Sequence, residues 1–482
     1  MHIDTIEQSL EEFSQALNRE HYLVGAGLKD KLETTPIYER YATLFARETV
    51  TDLVRQSDGP RWRYLAEATA FEYLENSVKA TSEAITNALL EAEIEWDNRS
   101  VPFMVTSSLI ANEPDMERRH TLEQKQMVVV AQQNPKRINR WKQLHTEARD
   151  LGFTDYTTMC DQLRALNLSW LSQQMRPLLD RTADSYFAKL EQHLSRNGVP
   201  RDRAHACDIG RIFRAEQFDS LFPAGTLVES LRRTLLGLGI DLDNQPGLQL
   251  DTEPRPLKSP RAFCAPIVIP TEVMLVIKPK GGQDDYRSLF HEAGHAEHFS
   301  YASPDLSFAF RGLGDTSVTE SFAFLFEHLT HNPLWLARVL DVKDSEPYRE
   351  LSLFSKLWFL RRYASKLLYE QQLHNQIDGA DRVYVNILAH NLGVRIAPER
   401  YLEDVDDAFY VSQYLRAWIF EMQLRAYLEY QYGVEWFASP RAGKFLIDLW
   451  LQGQRYSVDE LARQLGYAGL DTSPLVHELT TF

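Results

Sequence analysis

The sequence predicts a mostly α-helical protein that carries one small antiparallel β-sheet. Three observations lead there. Apolar residues recur three, four or seven apart over residues 61–96, 168–194, 346–376 and 406–432, the spacing of one helix face. Two apolar runs, residues 262–269 and 272–277, sit inside a proline- and glycine-rich stretch at 237–282 and read as strands. At 482 residues, 44% apolar and 25% charged, the chain is large and apolar enough to bury a sizeable core.

Each element has its own signal. Leu65, Phe71, Leu74, Val78, Ile85 and Leu89 line one side of the first long helix, which the pattern carries to Trp96 without a proline. Arg196-Asn197-Gly198-Val199-Pro200 interrupts the helical pattern. It is read as the boundary between an N-terminal helical lobe, residues 1–198, and the remainder, residues 199–482, although it also suits a turn between two helices. Pro270 separates the two β runs and Pro279-Lys280-Gly281-Gly282 closes the second, which places the sheet at about residues 247–280. Helices are expected next at 284–302 and 317–330. No period of 20–50 residues recurs, so a solenoid is not expected.

Charge and cysteine content narrow the function. Lysine and arginine total 52 against 68 acidic residues, a net charge of −16. That excludes a general nucleic-acid binder, which needs a basic footprint, and it would draw cationic peptides. Cys160, Cys207 and Cys264 lie far apart with no CxxC, which suits a reducing compartment better than a disulfide framework. The first residues lack a basic stretch followed by an apolar one, so no secretory signal is expected. The longest apolar runs, such as 273–277 and 322–326, are far short of the roughly 18 residues that span a bilayer. The expectation is a cytoplasmic protein with no membrane partner.

The chemistry concentrates in His291-Glu292-Ala293-Gly294-His295. Histidines four apart on a helix leave the same face one turn apart, and two neutral imidazoles there can hold one Zn²⁺. Glu292, beside the first of them, can reach a water at the metal and act as general base. Asp284 and Asp285 suit the positive end of that helix. A third protein ligand is needed. The metzincin pattern would put a histidine six residues after His295, but Tyr301 stands there. A downstream carboxylate remains, from Glu297, Asp305, Asp315, Glu320 or Glu327. Glu320 opens an apolar helical stretch, yet Ser317-x-x-Glu320 also reads as a capping box in which the glutamate serves only the helix end.

The segment from Ser288 to His298 resembles the active-site helix of the thimet oligopeptidase and oligoendopeptidase F family of zinc metallopeptidases. In that family the third ligand is a glutamate 25 residues past the second histidine, with another glutamate seven residues later; Glu320 and Glu327 stand at those distances. The resemblance implies one Zn²⁺ held by His291, His295 and Glu320, with Glu327 orienting a ligand or lying on the helix surface. His298 matches a family histidine that does not bind metal. Phe409-Tyr410-Val411-Ser412-Gln413-Tyr414 resembles the family's tyrosine-rich motif, which implies an oxyanion donor at Tyr410 or Tyr414; both also suit core packing. The likeness covers about residues 145–482 and implies a two-lobed body with a deep channel. Residues 199–482 would then be the catalytic region and short unfolded peptides the substrates. The strand Val273, Met274, Leu275 and Val276 would be an edge that holds an extended peptide by main-chain hydrogen bonds, or else a buried strand closing the sheet.

The sequence departs from the family in two places. Asp404 stands where a histidine usually precedes the tyrosine motif, and Ser412 replaces a tyrosine. An ionised Asp404 cannot donate to an oxyanion, so Asp404→His is expected not to reduce activity. Two other readings stay open. A Taq-type zinc carboxypeptidase shares the two histidines and a distant glutamate, but carries His-Glu-Ser-Gln where this chain has Thr319-Glu320-Ser321-Phe322. A catalytically weak or inactive peptide-binding homologue would explain the missing histidine, yet needs no base such as Glu292.

Overall fold

The computed structural model describes residues 2–56, 59–259 and 261–481. Helix dominates, with five strands in two sheets among the described residues. Strands β1 (Glu93–Trp96) and β2 (Arg99–Pro102) form an antiparallel hairpin. Strands β3 (Leu248–Asp251), β4 (Phe263–Val268) and β5 (Glu272–Val276) form a second sheet in the order β3-β5-β4. None of the helices is long and apolar enough to cross a membrane, among the described residues.

The chain divides into two compact units. One comprises Met1–Glu72, Glu216–Glu350 and Arg416–Leu475, the other Tyr73–Ala215, Leu351–Leu415 and Val476–Phe482. The loop at 196–200 lies within the second unit, so residue 198 does not coincide with a boundary between these units.

In the first unit, helix Gln283–Tyr301 and helix Thr316–Leu329 share one core with Leu231, Leu235, Val273, Leu275, Trp335, Trp436 and Trp450. The β4–β5 pair is antiparallel, with Cys264 opposite Leu275, as the two apolar runs predicted. Strand β3, whose Leu-Gln-Leu-Asp is too short to stand out in the sequence, adds a parallel neighbour and makes the sheet mixed. Of the two roles considered for Val273, Met274, Leu275 and Val276, this leaves the buried strand and removes the edge. Strand β5 is central and its main chain is paired on both sides, so it offers no free edge to a peptide. Its side chains alternate between two apolar clusters. Val273 and Leu275 face the main core, while Met274 and Val276 pack with Ala26, Ala265 and Ile267.

The first long helix of the pattern, which begins in the first unit and ends in the second, stops earlier than its apolar spacing. It spans Pro60–Glu91, and Trp96 is already in β1. Asp97 and Asn98 both adopt positive φ, 50° and 57°, the geometry of a tight hairpin turn that Asp and Asn tolerate. Ile94 is buried between exposed Glu93 and Glu95, and the Arg118 guanidinium sits 4.7 Å over the Trp96 ring. The expected helix at 168–194 is two helices, Leu168–Arg181 and Ala183–Arg196. At their junction the Thr182 hydroxyl accepts from Arg361 Nη1 at 2.7 Å. Positive φ at Ala408 and Phe409 delays the helix expected from 406, which runs Tyr410–Tyr432.

Candidate metal centre

Helix Gln283–Tyr301 turns Leu289, Phe290, Ala293 and Ala296 into the main core. That leaves His291, Glu292 and His295 on a half-buried face. Gly294 lets the next helix come close: a methyl group there would lie 2.4 Å from Phe322 O and 2.6 Å from Ala323 Cα. No side chain larger than hydrogen fits that approach without moving a backbone.

The helix brought in by Gly294 is Thr316–Leu329, almost wholly buried. Its N-cap is Asp315, whose carboxylate accepts from Ser317 N at 3.0 Å. The capping-box role considered for Glu320 is therefore taken by another residue. Glu320 is 3% exposed, and its Oε2 lies 3.5 Å from His291 Nε2 and 3.7 Å from His295 Nε2. One donor atom from each of His291, His295 and Glu320 falls within 4.8 Å of the others.

The opposite ring nitrogens are held. His291 Nδ1 lies 2.9 Å from Glu327 Oε2, and His295 Nδ1 lies 2.8 Å from Thr319 Oγ1. An imidazole that gives its Nδ1–H away presents an Nε2 lone pair, the state a metal needs. Glu292 Oε2 accepts the Cys264 N–H of β4 at 2.9 Å. His298 Nε2 is engaged by Gly453 O at 3.1 Å, which takes it out of the ligand set. Phe324, stacked on Trp418, lies edge-on to the His291 ring at 5.2 Å.

Thr319 and the Cys264 main chain carried no signal in the sequence. Thr319 is a single hydroxyl next to a ligand-type acid, and a backbone N–H looks the same at every position.

The charge balance calls for a cation. Burial disfavours a charged His291, yet the Glu320 and Glu327 carboxylates outweigh it and raise the imidazole to about 10. Burial holds His295 down at about 4. Burial also raises Glu292 to about 7, against the lowering effect of His291. Without a metal, one imidazole takes a proton to offset the surrounding carboxylates. Two imidazoles and a carboxylate converging this closely form a donor set that fits Zn²⁺. Glu327→Ala should weaken zinc binding by about 10–100-fold, because it frees the His291 ring; competition with a chelator would measure it.

The remaining predicted residues belong to the second unit. Tyr410 and Tyr414 are half-buried, edge to face at 5.0 Å, and Tyr414 stacks on Tyr363 at 5.5 Å. Ser412 is buried and its hydroxyl bonds Phe409 O. Asp404 has a structural role that its sequence neighbours hide. Its side chain is 9% exposed and pairs with Arg362 and, at 3.5 Å, with Lys366, while Tyr384 donates to it at 2.8 Å. Burial pushes its carboxyl up, but the two cations outweigh this and hold it below the usual range.

The expectation that Asp404→His does not reduce activity is therefore withdrawn. A histidine would leave half-buried Arg362 without the carboxylate paired to it and would take one anion from buried Lys366, which keeps Asp406 at 2.8 Å. Asp404→Ala should destabilise the protein by about 3–5 kcal/mol, read as a lowered urea midpoint with unchanged slope.

No protein-family model matches this chain, and no curated protein matches it. Among solved structures it is similar to a protein of Bacillus anthracis str. Ames that is provisionally described as an oligoendopeptidase F. The TM-score is 0.60 at 16% identity, over 98% of this chain and 84% of the other. At that identity the two share a fold.

Proposed function

We propose that this chain is a zinc-dependent metallopeptidase that hydrolyses peptide bonds in short, unfolded peptides. One observation carries the reading: two imidazole Nε2 atoms converge on the Glu320 carboxylate, with Glu292 beside them. The shared fold with the B. anthracis protein supports it. No disulfide links Cys160, Cys207 and Cys264, which fits a reducing compartment such as the cytoplasm.

A zinc ion held by His291, His295 and Glu320 would supply Lewis acidity, polarising a carbonyl and making a water acidic near neutral pH. Glu292 accepts the proton of the attacking water and hands it to the leaving amine. The Cys264 N–H fixes Oε2 of that carboxylate and keeps Oε1 for the proton. Glu327 and Thr319 hold the two imidazoles in the donor tautomer.

For the developing oxyanion, the resemblance of residues 409–414 to the tyrosine-rich motif implies a hydroxyl donor at Tyr410 or Tyr414. One of Tyr410→Phe and Tyr414→Phe should lose about 10²–10³ in kcat while keeping its zinc. Steady-state kinetics beside metal analysis checks this, and two near-wild-type variants would make both tyrosines packing residues.

The reaction type is read from a mixed peptide library digested by the zinc-loaded protein and followed by mass spectrometry. Internal cuts are expected. Stepwise loss from the C-terminus would assign a carboxypeptidase instead, and no product would leave a peptide-binding protein.

A further inference from the structure

The second compact unit encloses a chamber of about 230 Å³. Helices Phe103–Asn112, Met116–Asp150, Ala206–Arg214, Glu346–Asn375 and Ala380–Leu392 wall it. Ile110, Leu388 and Leu392, all buried, give it an apolar surface. An apolar cavity with a few charged groups is the usual form of a small-molecule site.

The charged groups of the lining have both signs. Glu123 is buried, and His205 Nδ1 lies 2.8 Å from its Oε2. A carboxylate accepts about four hydrogen bonds, so Glu123 keeps capacity for an ammonium group. Arg362 and Arg400 line the same chamber. Arg362 gives Nη2 to Asp404, while Arg400 gives Nη1 to Glu403 at 2.7 Å and Nη2 to Gln126 Oε1 at 3.1 Å. Among the described residues neither guanidinium commits its Nε–H, so both keep donors for a carboxylate.

This mixture selects the ligand. A plain anion in so small a space would face the Glu123 carboxylate, and an uncompensated buried charge is costly. A plain amine would leave the spare guanidinium donors unused. A zwitterion with an apolar body uses acceptor, donors and apolar wall together.

We propose that this chamber binds one free α-amino acid with an apolar side chain. Its ammonium group meets Glu123, its carboxylate meets Arg362 and Arg400, and its side chain lies against Ile110, Leu388 and Leu392. A larger cavity of about 720 Å³, which shares Glu123, Ile396 and Ala397 with the chamber, gives a way in. The assignment does not depend on the peptidase reading, although free amino acids are what complete hydrolysis of a peptide yields.

Calorimetric titration of the full-length chain with L-leucine tests this without reference to activity. Two analogues accompany it: 4-methylpentanoate, which lacks the ammonium group, and 3-methylbutylamine, which lacks the carboxylate. Wild type is expected to bind one leucine per chain. Each analogue should bind at least about tenfold more weakly, the cost of losing a hydrogen bond to a charged group. Glu123→Gln should bind leucine no better than it binds 4-methylpentanoate. His291→Ala should bind leucine as wild type does, because the chamber belongs to the other unit. A wild type that binds no leucine, or binds either analogue equally well, overturns the proposal. So does leucine binding that survives Glu123→Gln unchanged, or that is lost in His291→Ala, which would put the ligand at the metal centre.

Discussion

Glu292→Gln is expected to keep the fold and the zinc of the wild type while losing peptide cleavage by about 10²–10⁴ or more. Glutamine is nearly isosteric and its side-chain oxygen can still accept the Cys264 N–H that holds Oε2. What it loses is the capacity to take a proton. The substitution therefore separates proton transfer from metal binding and from packing, which alanine would not do. Burial, with the Glu320 and Glu327 carboxylates adding to it, holds the wild-type carboxyl above its ordinary range, at about 7, where a group exchanges a proton readily near neutral pH. Steady-state kinetics on a defined peptide, with metal content measured on the same sample, decides the matter. A variant that cleaves at near wild-type rate removes Glu292 from the mechanism. A variant that loses its zinc makes it a ligand or a packing residue.

Glu320→Ala should have the second large effect, this time on the metal. Its carboxylate is the one oxygen donor in the proposed set and sits 3.5 and 3.7 Å from the two imidazole Nε2 atoms. Loss of a residue that only orients a ligand costs about 10–100-fold in affinity, so loss of the ligand itself should cost more. The variant should also be inactive, because two histidines alone leave the ion weakly held. Its helix is anchored by Phe322, Leu325, Phe326 and Leu329 in the main core, so the fold should survive. Zinc titration against a competing chelator reads the change. Wild-type affinity in Glu320→Ala would sink the assignment.

Much of the fold could be read from periodicity because helices bury one face at a fixed spacing. The exceptions have local causes. Trp96 continued a helical pattern and became a strand because Asp97 and Asn98 adopt the left-handed turn that reverses the chain. Strand β3 went unread because four residues carry too little pattern, and missing it made β5 look like an edge when it is the centre of the sheet.

At the site, the four-residue spacing of His291 and His295 could be derived from helix geometry, whereas Glu320 had an equally good local role as a cap. The resemblance singled it out, and the structure places it between the imidazoles while Asp315 caps the helix. Asp404 shows the limit of reading one position at a time. Its burial between Arg362 and Lys366 depends on residues about 40 positions upstream, which no local pattern connects.

The central claim is that peptide hydrolysis depends on a metal held by His291, His295 and Glu320. Its most direct test is cleavage of one internally cut peptide by the full-length protein before chelation, after chelation, and after zinc is restored. Cleavage should vanish with the chelator and return with zinc in the wild type, and should not return in Glu320→Ala. Cleavage that persists in the metal-free protein, or a zinc-loaded protein that cuts no peptide, would contradict the account.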